Sequence, residues 1–163
     1  MTTQHKNLND GLTLVEVMIA TSIILVFLLA LFGIHNMYLK TAFSGAKAVK
    51  AAYLAEESLE VMRFMRDSSW DENILPLALE TNYGLVFNAG VWQTTTTDIW
   101  MDNLFERTVL LSAVYRDISG DVVSSGGTLD PDTRMVTVTV SWENGTGTTT
   151  KSISTYITNL FDD

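Results

Sequence analysis

Glu16 is the residue whose position asks most of chemistry. It stands five residues past Gly11, at the head of a run from Val17 to Leu39 that holds no Asp, Glu, Lys or Arg over 23 residues. A helix of that length rises roughly 35 Å at about 1.5 Å per residue, enough to cross a bilayer. A charged side chain at the centre of such a helix costs roughly 2.5–3.5 kcal/mol, and less toward the interface. A carboxylate near the end of this run is therefore a functional candidate that needs a partner.

Other chemistry-bearing residues are sparse. His5 and His35 are the two histidines, and there is no cysteine, so the usual zinc ligand set is missing. No Gly-rich phosphate loop and no nucleophile elbow is present. The sequence predicts no catalytic residue, no cofactor and no metal. Asp130-Pro131-Asp132-Thr133 holds hard oxygens of the kind Ca²⁺ prefers. A Pro-Asp turn ahead of a strand accounts for the same residues and is the favoured reading, with Asp130 and Asp132 as the calcium candidates it competes against. Gly126-Gly127 reads as a turn. The threonine runs 94–97 and 148–150 read as exposed β-loop surface open to O-glycosylation. Asn144-Gly145-Thr146 matches the N-glycosylation pattern, but a hairpin turn explains it sufficiently. Trp142 is expected in the core. Trp92 and Trp100 stay open between the core and an adhesive surface.

Charge narrows the partners. The 163 residues carry 10 basic and 19 acidic side chains, a net charge of −9. Nucleic acid is a poor partner for such a chain, because neutralising phosphates needs clustered Lys and Arg. Lys40, Lys47 and Lys50 are the one basic cluster, and they are expected at or just beyond lipid headgroups.

The elements that must carry these residues follow from periodicity. Helix formers continue past the apolar run, with no proline from Lys40 to Asp67. Ala48, Ala52, Ala55, Leu59 and Met62 recur at helical spacing and predict a buried stripe. One helix of about 55 residues from Leu12 to Arg66 is expected, roughly 80 Å long. Residues 68–73 end it, and Pro76 prevents a restart. The remainder reads as β: Gly84–Phe87, Phe105–Arg116, Arg134–Glu143 and about Thr148–Ile157. In the third of these, Val136, Val138, Val140 and Trp142 share one face. Asn144-Gly145 is the strongest hairpin signal, with the register after it unresolved.

A short polar leader ending in Gly11, then Leu12-Thr13-Leu14-Val15-Glu16-Val17 and a long apolar run, resembles the processing site of type IV prepilins and pseudopilins. The family more often has Phe where Leu12 stands, and many major pilins have a proline where this chain has Gly33. Ala55-Glu56-Glu57-Ser58-Leu59-Glu60 and the closing Val-Thr-Val-Ser-Trp and Ser-Ile-Ser-Thr-Tyr-Ile segments are similar to those of PilV-type minor pilins. The resemblance implies cleavage between Gly11 and Leu12 by a prepilin peptidase, N-methylation of Leu12 by the same enzyme, and an assembly role for Glu16. It also implies partners: other pilin subunits, an inner-membrane assembly platform, and the membrane itself before assembly.

The expected fold is α+β and pilin-like, a long N-terminal helix packed by its second half on an antiparallel sheet. The expected domains are a leader at 1–11, a membrane or filament-core helix at 12–39 and a head at 40–163. Losing the leader removes Lys6 and Asp10, which leaves 152 residues and the same net charge of −9. The expected function is that of a minor type IV pilin-like structural subunit rather than an enzyme. It would be made as a single-pass inner-membrane precursor with a cytoplasmic N-terminus, then placed in a pilus or pseudopilus at the periplasm or cell surface. One rival is a pseudopilin of a type II secretion system. The other is an uncleaved signal-anchored protein with a β binding domain.

Overall fold

The computed structural model describes residues 13–145 and 147–160. The chain divides into two compact units, Met1–Phe43 and Ser44–Asp163. One helix, α1, runs over Leu14–Ser68 and contributes to both. Its 55 residues match the expected length, with both ends displaced by about two positions.

In the first unit every described residue is exposed, although most are apolar. Among the described residues, α1 is the one helix long and apolar enough to cross a membrane. Its polar side chains bond within the helix. Thr21 Oγ1 donates to Val17 O at 2.8 Å, Ser22 Oγ to Met18 O at 2.7 Å and Asn36 Nδ2 to Phe32 O at 2.9 Å. Such internal bonds let hydroxyl and amide groups sit in an apolar medium without an outside partner.

In the second unit, α1 buries Ala51, Leu54, Ala55, Ser58, Val61, Met62 and Met65. This corrects the expected stripe by roughly one position. Ala55 and Met62 lie at its centre, whereas Ala48, Ala52 and Leu59 are half-buried at its margins. Ser58 is the residue that misleads a count of apolar positions. Its hydroxyl donates to Leu54 O at 2.7 Å, so it is buried at little cost.

Ser69, in an extended conformation, stops α1 and caps a single further turn, α2, at Trp70–Asn73. Its side chain accepts from Glu72 N, so the chain does restart briefly where only a termination was expected.

Seven antiparallel strands follow: β1 Asn82–Asn88, β2 Val91–Thr95, β3 Trp100–Met101, β4 Phe105–Arg116, β5 Val122–Val123, β6 Thr128–Glu143 and β7 Thr148–Thr158. The sheet order is β2-β1-β4-β6-β7, with β3 and β5 also pairing with β4. Alternation places Phe105, Val109, Leu111, Val136, Val138, Val140 and Trp142 in one core with the buried face of α1. The expected Pro-Asp turn lies instead inside β6. Ala113 pairs with Arg134 and Val114 with Asp130, so residues 131–133 bulge out of the β4 ladder. Arg134 sustains the bulge, since its Nη1 donates to Pro131 O at 2.8 Å and Thr133 O at 3.0 Å. After β6, Asn144 N donates to Gly147 O at 3.0 Å, which settles the register of β7.

Candidate processing and assembly site

Gly11 and Leu12 lie outside the described residues. The site becomes visible at Thr13, the residue before the first helical position. Thr13 N donates to Glu16 Oε2 at 2.9 Å, and Thr13 Oγ1 donates to the same oxygen at 2.9 Å. In return Glu16 N donates to Thr13 Oγ1 at 3.3 Å. This is a capping box, in which the N-cap threonine and the glutamate three residues on satisfy one another's exposed amides. A negative charge in the first turn is also favoured by the helix dipole. The sequence reading sought a partner for Glu16 and overlooked Thr13, although Thr-x-x-Glu is legible as a capping signal. Both of these acceptor contacts use Oε2 and leave Oε1 outside the box.

The other predicted positions are placed as follows. Asp130 Oδ2 accepts from Arg116 Nε at 2.6 Å, and Asp130 Oδ1 accepts from Asp132 N at 3.0 Å. The Arg116 guanidinium holds the Asp130 carboxyl below the usual carboxylate range. Among the described residues, no group of three or more His, Cys, Asp and Glu is arranged to hold a metal ion. Lys47 Nζ donates to Glu143 O at 3.0 Å, and Lys50 pairs with Asp102, so both are engaged by the head. Trp142 is in the core as expected, joined there by Trp70. Trp92 is half-buried and Trp100 is exposed.

One functional-looking residue escaped the sequence reading. Arg107 is 1 % exposed on the inward face of β4. Its Nη1 donates to Glu57 Oε2 of α1 at 3.2 Å and its Nη2 to Leu85 O at 3.3 Å. The guanidinium also lies over the Trp92 ring, 5.9 Å from its centroid. Burial pulls the Arg107 pKa down, and the Glu57 carboxylate opposes that shift. The signal was available: Phe105, Arg107, Val109 and Leu111 alternate in one strand, so an inward Phe and Val imply an inward Arg. The pair ties helix to sheet.

The model of the prokaryotic N-terminal methylation motif matches residues 6–32. No curated protein and no solved structure matches the chain significantly.

Proposed function

We propose, from the premise that residues 6–32 carry the type IV prepilin-like signature on a pilin-like α+β architecture, that this chain is a minor type IV pilin-like structural subunit. The observation that carries the reading is the coincidence of that motif with a helix whose whole first part is apolar and exposed. Such a surface is unstable in water and suits lipid or the packed helices of a filament. The motif and the helix support membrane anchoring. The pilin-like family is generally non-enzymatic.

In this reading a prepilin peptidase cuts between Gly11 and Leu12 and methylates the new Leu12 amine. The precursor is single-pass in the inner membrane with its N-terminus cytoplasmic. Glu16 then meets a terminal amine, its own or that of a neighbouring subunit, as the helix leaves lipid for the filament. In low dielectric the pair offsets much of the cost of either charge alone. The capping box is compatible with this pairing, because it involves only Thr13 and Glu16, both of which remain after the cut. A pseudopilin of a type II secretion system shares every one of these steps and differs in the filament built.

Intact-mass analysis of membrane-extracted protein tests the proposal. The expected mass lacks residues 1–11 and includes one added methyl group. Retention of those residues in cells with an active prepilin peptidase would refute it.

A further inference from the structure

β7 is the outer strand of the sheet. It pairs with β6 from Thr133↔Thr158 to Glu143↔Thr148 and, among the described residues, with no other strand. Antiparallel ladders alternate between residue pairs that exchange both main-chain bonds and pairs that exchange none. Two bonds anchor this alternation: Asn144 N to Gly147 O at 3.0 Å and Asn159 N to Asp132 O at 2.8 Å. Counting inward from either end gives the same parity. Thr149, Lys151, Ile153, Thr155 and Ile157 turn their N–H and C=O groups toward β6. Thr148, Thr150, Ser152, Ser154, Tyr156 and Thr158 turn theirs outward, along the open edge.

Proteins blunt such edges by shortness, proline, charge or a bulge. β7 has 11 residues, with no proline, no acid and one charge, Lys151. Its register with β6 carries no shift. In a chain of net charge −9, this acid-free edge is a place where a second copy can approach with little repulsion. The strand is also self-complementary about Ile153, with Ser152 and Ser154 on either side.

We propose that β7 pairs antiparallel with β7 of a second copy, centred on Ile153, and joins the two sheets across a two-fold axis. In this register the outward-turned residues meet: Thr148 faces Thr158 of the second copy, Thr150 faces Tyr156, and Ser152 faces Ser154. Hydroxyl pairs and a Thr–Tyr pair are favourable cross-strand neighbours. On the other face Ile153 meets its own counterpart. Lys151 faces Thr155, and the two Lys151 side chains are offset by four residues, roughly 14 Å at about 3.4 Å per residue, beyond the Debye length of about 8 Å. Placing Ser152 opposite itself would halve that offset and leave Thr158 without a strand residue to face.

The chain contains no cysteine, so a single introduced thiol reports without background. Ile153→Cys, in the full chain in membranes or mild detergent, sets two thiols opposite one another with Cα atoms about 4.5 Å apart, within disulfide reach. Oxidation is expected to give a disulfide dimer of twice the chain mass. The yield should exceed that of Thr149→Cys at least tenfold, since that residue and its own counterpart lie roughly 27 Å apart at about 3.4 Å per residue. Adding Ser154→Pro removes an outward N–H without touching the β6 ladder. The head should then keep its melt and the dimer should be lost. If that variant loses the melt, Ser154→Lys serves instead, because it sets the introduced lysines of the two copies on one face as diagonal neighbours about 7–8 Å apart, a like-charge pair at the centre of the pairing. No dimer from Ile153→Cys, equal yields at the two positions, a dimer that survives the edge variant, or an adduct with a different protein's mass would each overturn the proposal.

Discussion

The two parts of α1 carry similar apolar residues and treat them in opposite ways. In the first unit Ile24, Phe27, Leu31 and Phe32 are exposed. In the second, Leu54, Val61, Met62 and Met65 are buried against the sheet of the same chain. The first part is apolar all round, so no single sheet could cover it. The second buries one stripe, and its opposite surface carries Glu56 and Glu60. The comparison teaches that the width of the apolar surface, rather than its total, decides whether a helix is completed by its own chain or by something outside it.

The largest expected effect breaks the second part. Met62→Asp puts an uncompensated charge into the core and should cost more than about 4 kcal/mol, abolishing the cooperative melt of the head. Leu59→Asp, at the margin of the stripe, should cost about half as much, and the two melting curves measured side by side check that order.

Phe27→Asp addresses the first part. It should raise the cost of membrane insertion by about 2.5–3.5 kcal/mol and leave the melt of the head unchanged. Carbonate extraction together with a thermal melt separates the two consequences. A fall in the melting temperature would show that the units are energetically coupled.

Glu57→Gln tests the ion pair that joins α1 to β4. Removing one partner of a fully buried pair costs about 3–5 kcal/mol. Glu57 is half-exposed, with a side-chain exposure of 46 %, so water screens the change. The expected loss is about 1–3 kcal/mol, read from denaturant midpoints at constant slope.

Glu16 separates charge from capping. Glu16→Ala removes both, at a capping cost of about 1 kcal/mol, while Glu16→Gln keeps the box and removes the charge. Both precursors should be cut at Gly11. Immunoblots of sheared filaments against membranes should show reduced incorporation for both variants. Loss with Ala alone would assign Glu16 to capping and remove its role as partner of a terminal amine.

The smallest effect is a pH dependence. Arg116 lowers the folded-state pKa of Asp130, so this contribution to stability is fully present above the unfolded value of about 3.9. It is lost as pH falls through the lower folded value. Asp130→Asn should lower the melting temperature modestly near neutral pH, where the contribution is fully present, and the two profiles should converge as pH falls through the folded-state value, which flattens the acid limb.

Local signals made much of the fold legible. The length of α1, the bounds of β4 and the Asn-Gly hairpin follow from composition, period two and turn chemistry, all read within a few residues. The Thr13–Glu16 box is of the same kind and was equally readable. β2, β3 and β5 were not, since strands of 5, 2 and 2 residues give too short an alternation to count. The bulge at 131–133 was hidden because Pro-Asp reads as a turn unless one knows that Arg134 reaches its carbonyls.

By itself the sequence determined the parts that depend on near neighbours: an apolar helix with one carboxylate at its head, a motif around Gly11, and strands whose faces alternate. Tertiary structure decided the parts that depend on distant residues. It set the rotation of α1 that buries Ser58 and leaves Leu59 at the margin, and it paired Arg107 with Glu57 across 50 positions of chain. The physical reason is that period and propensity act over one or two turns. Which stripe is buried, and which charge is matched, depends on the surface that folds against it.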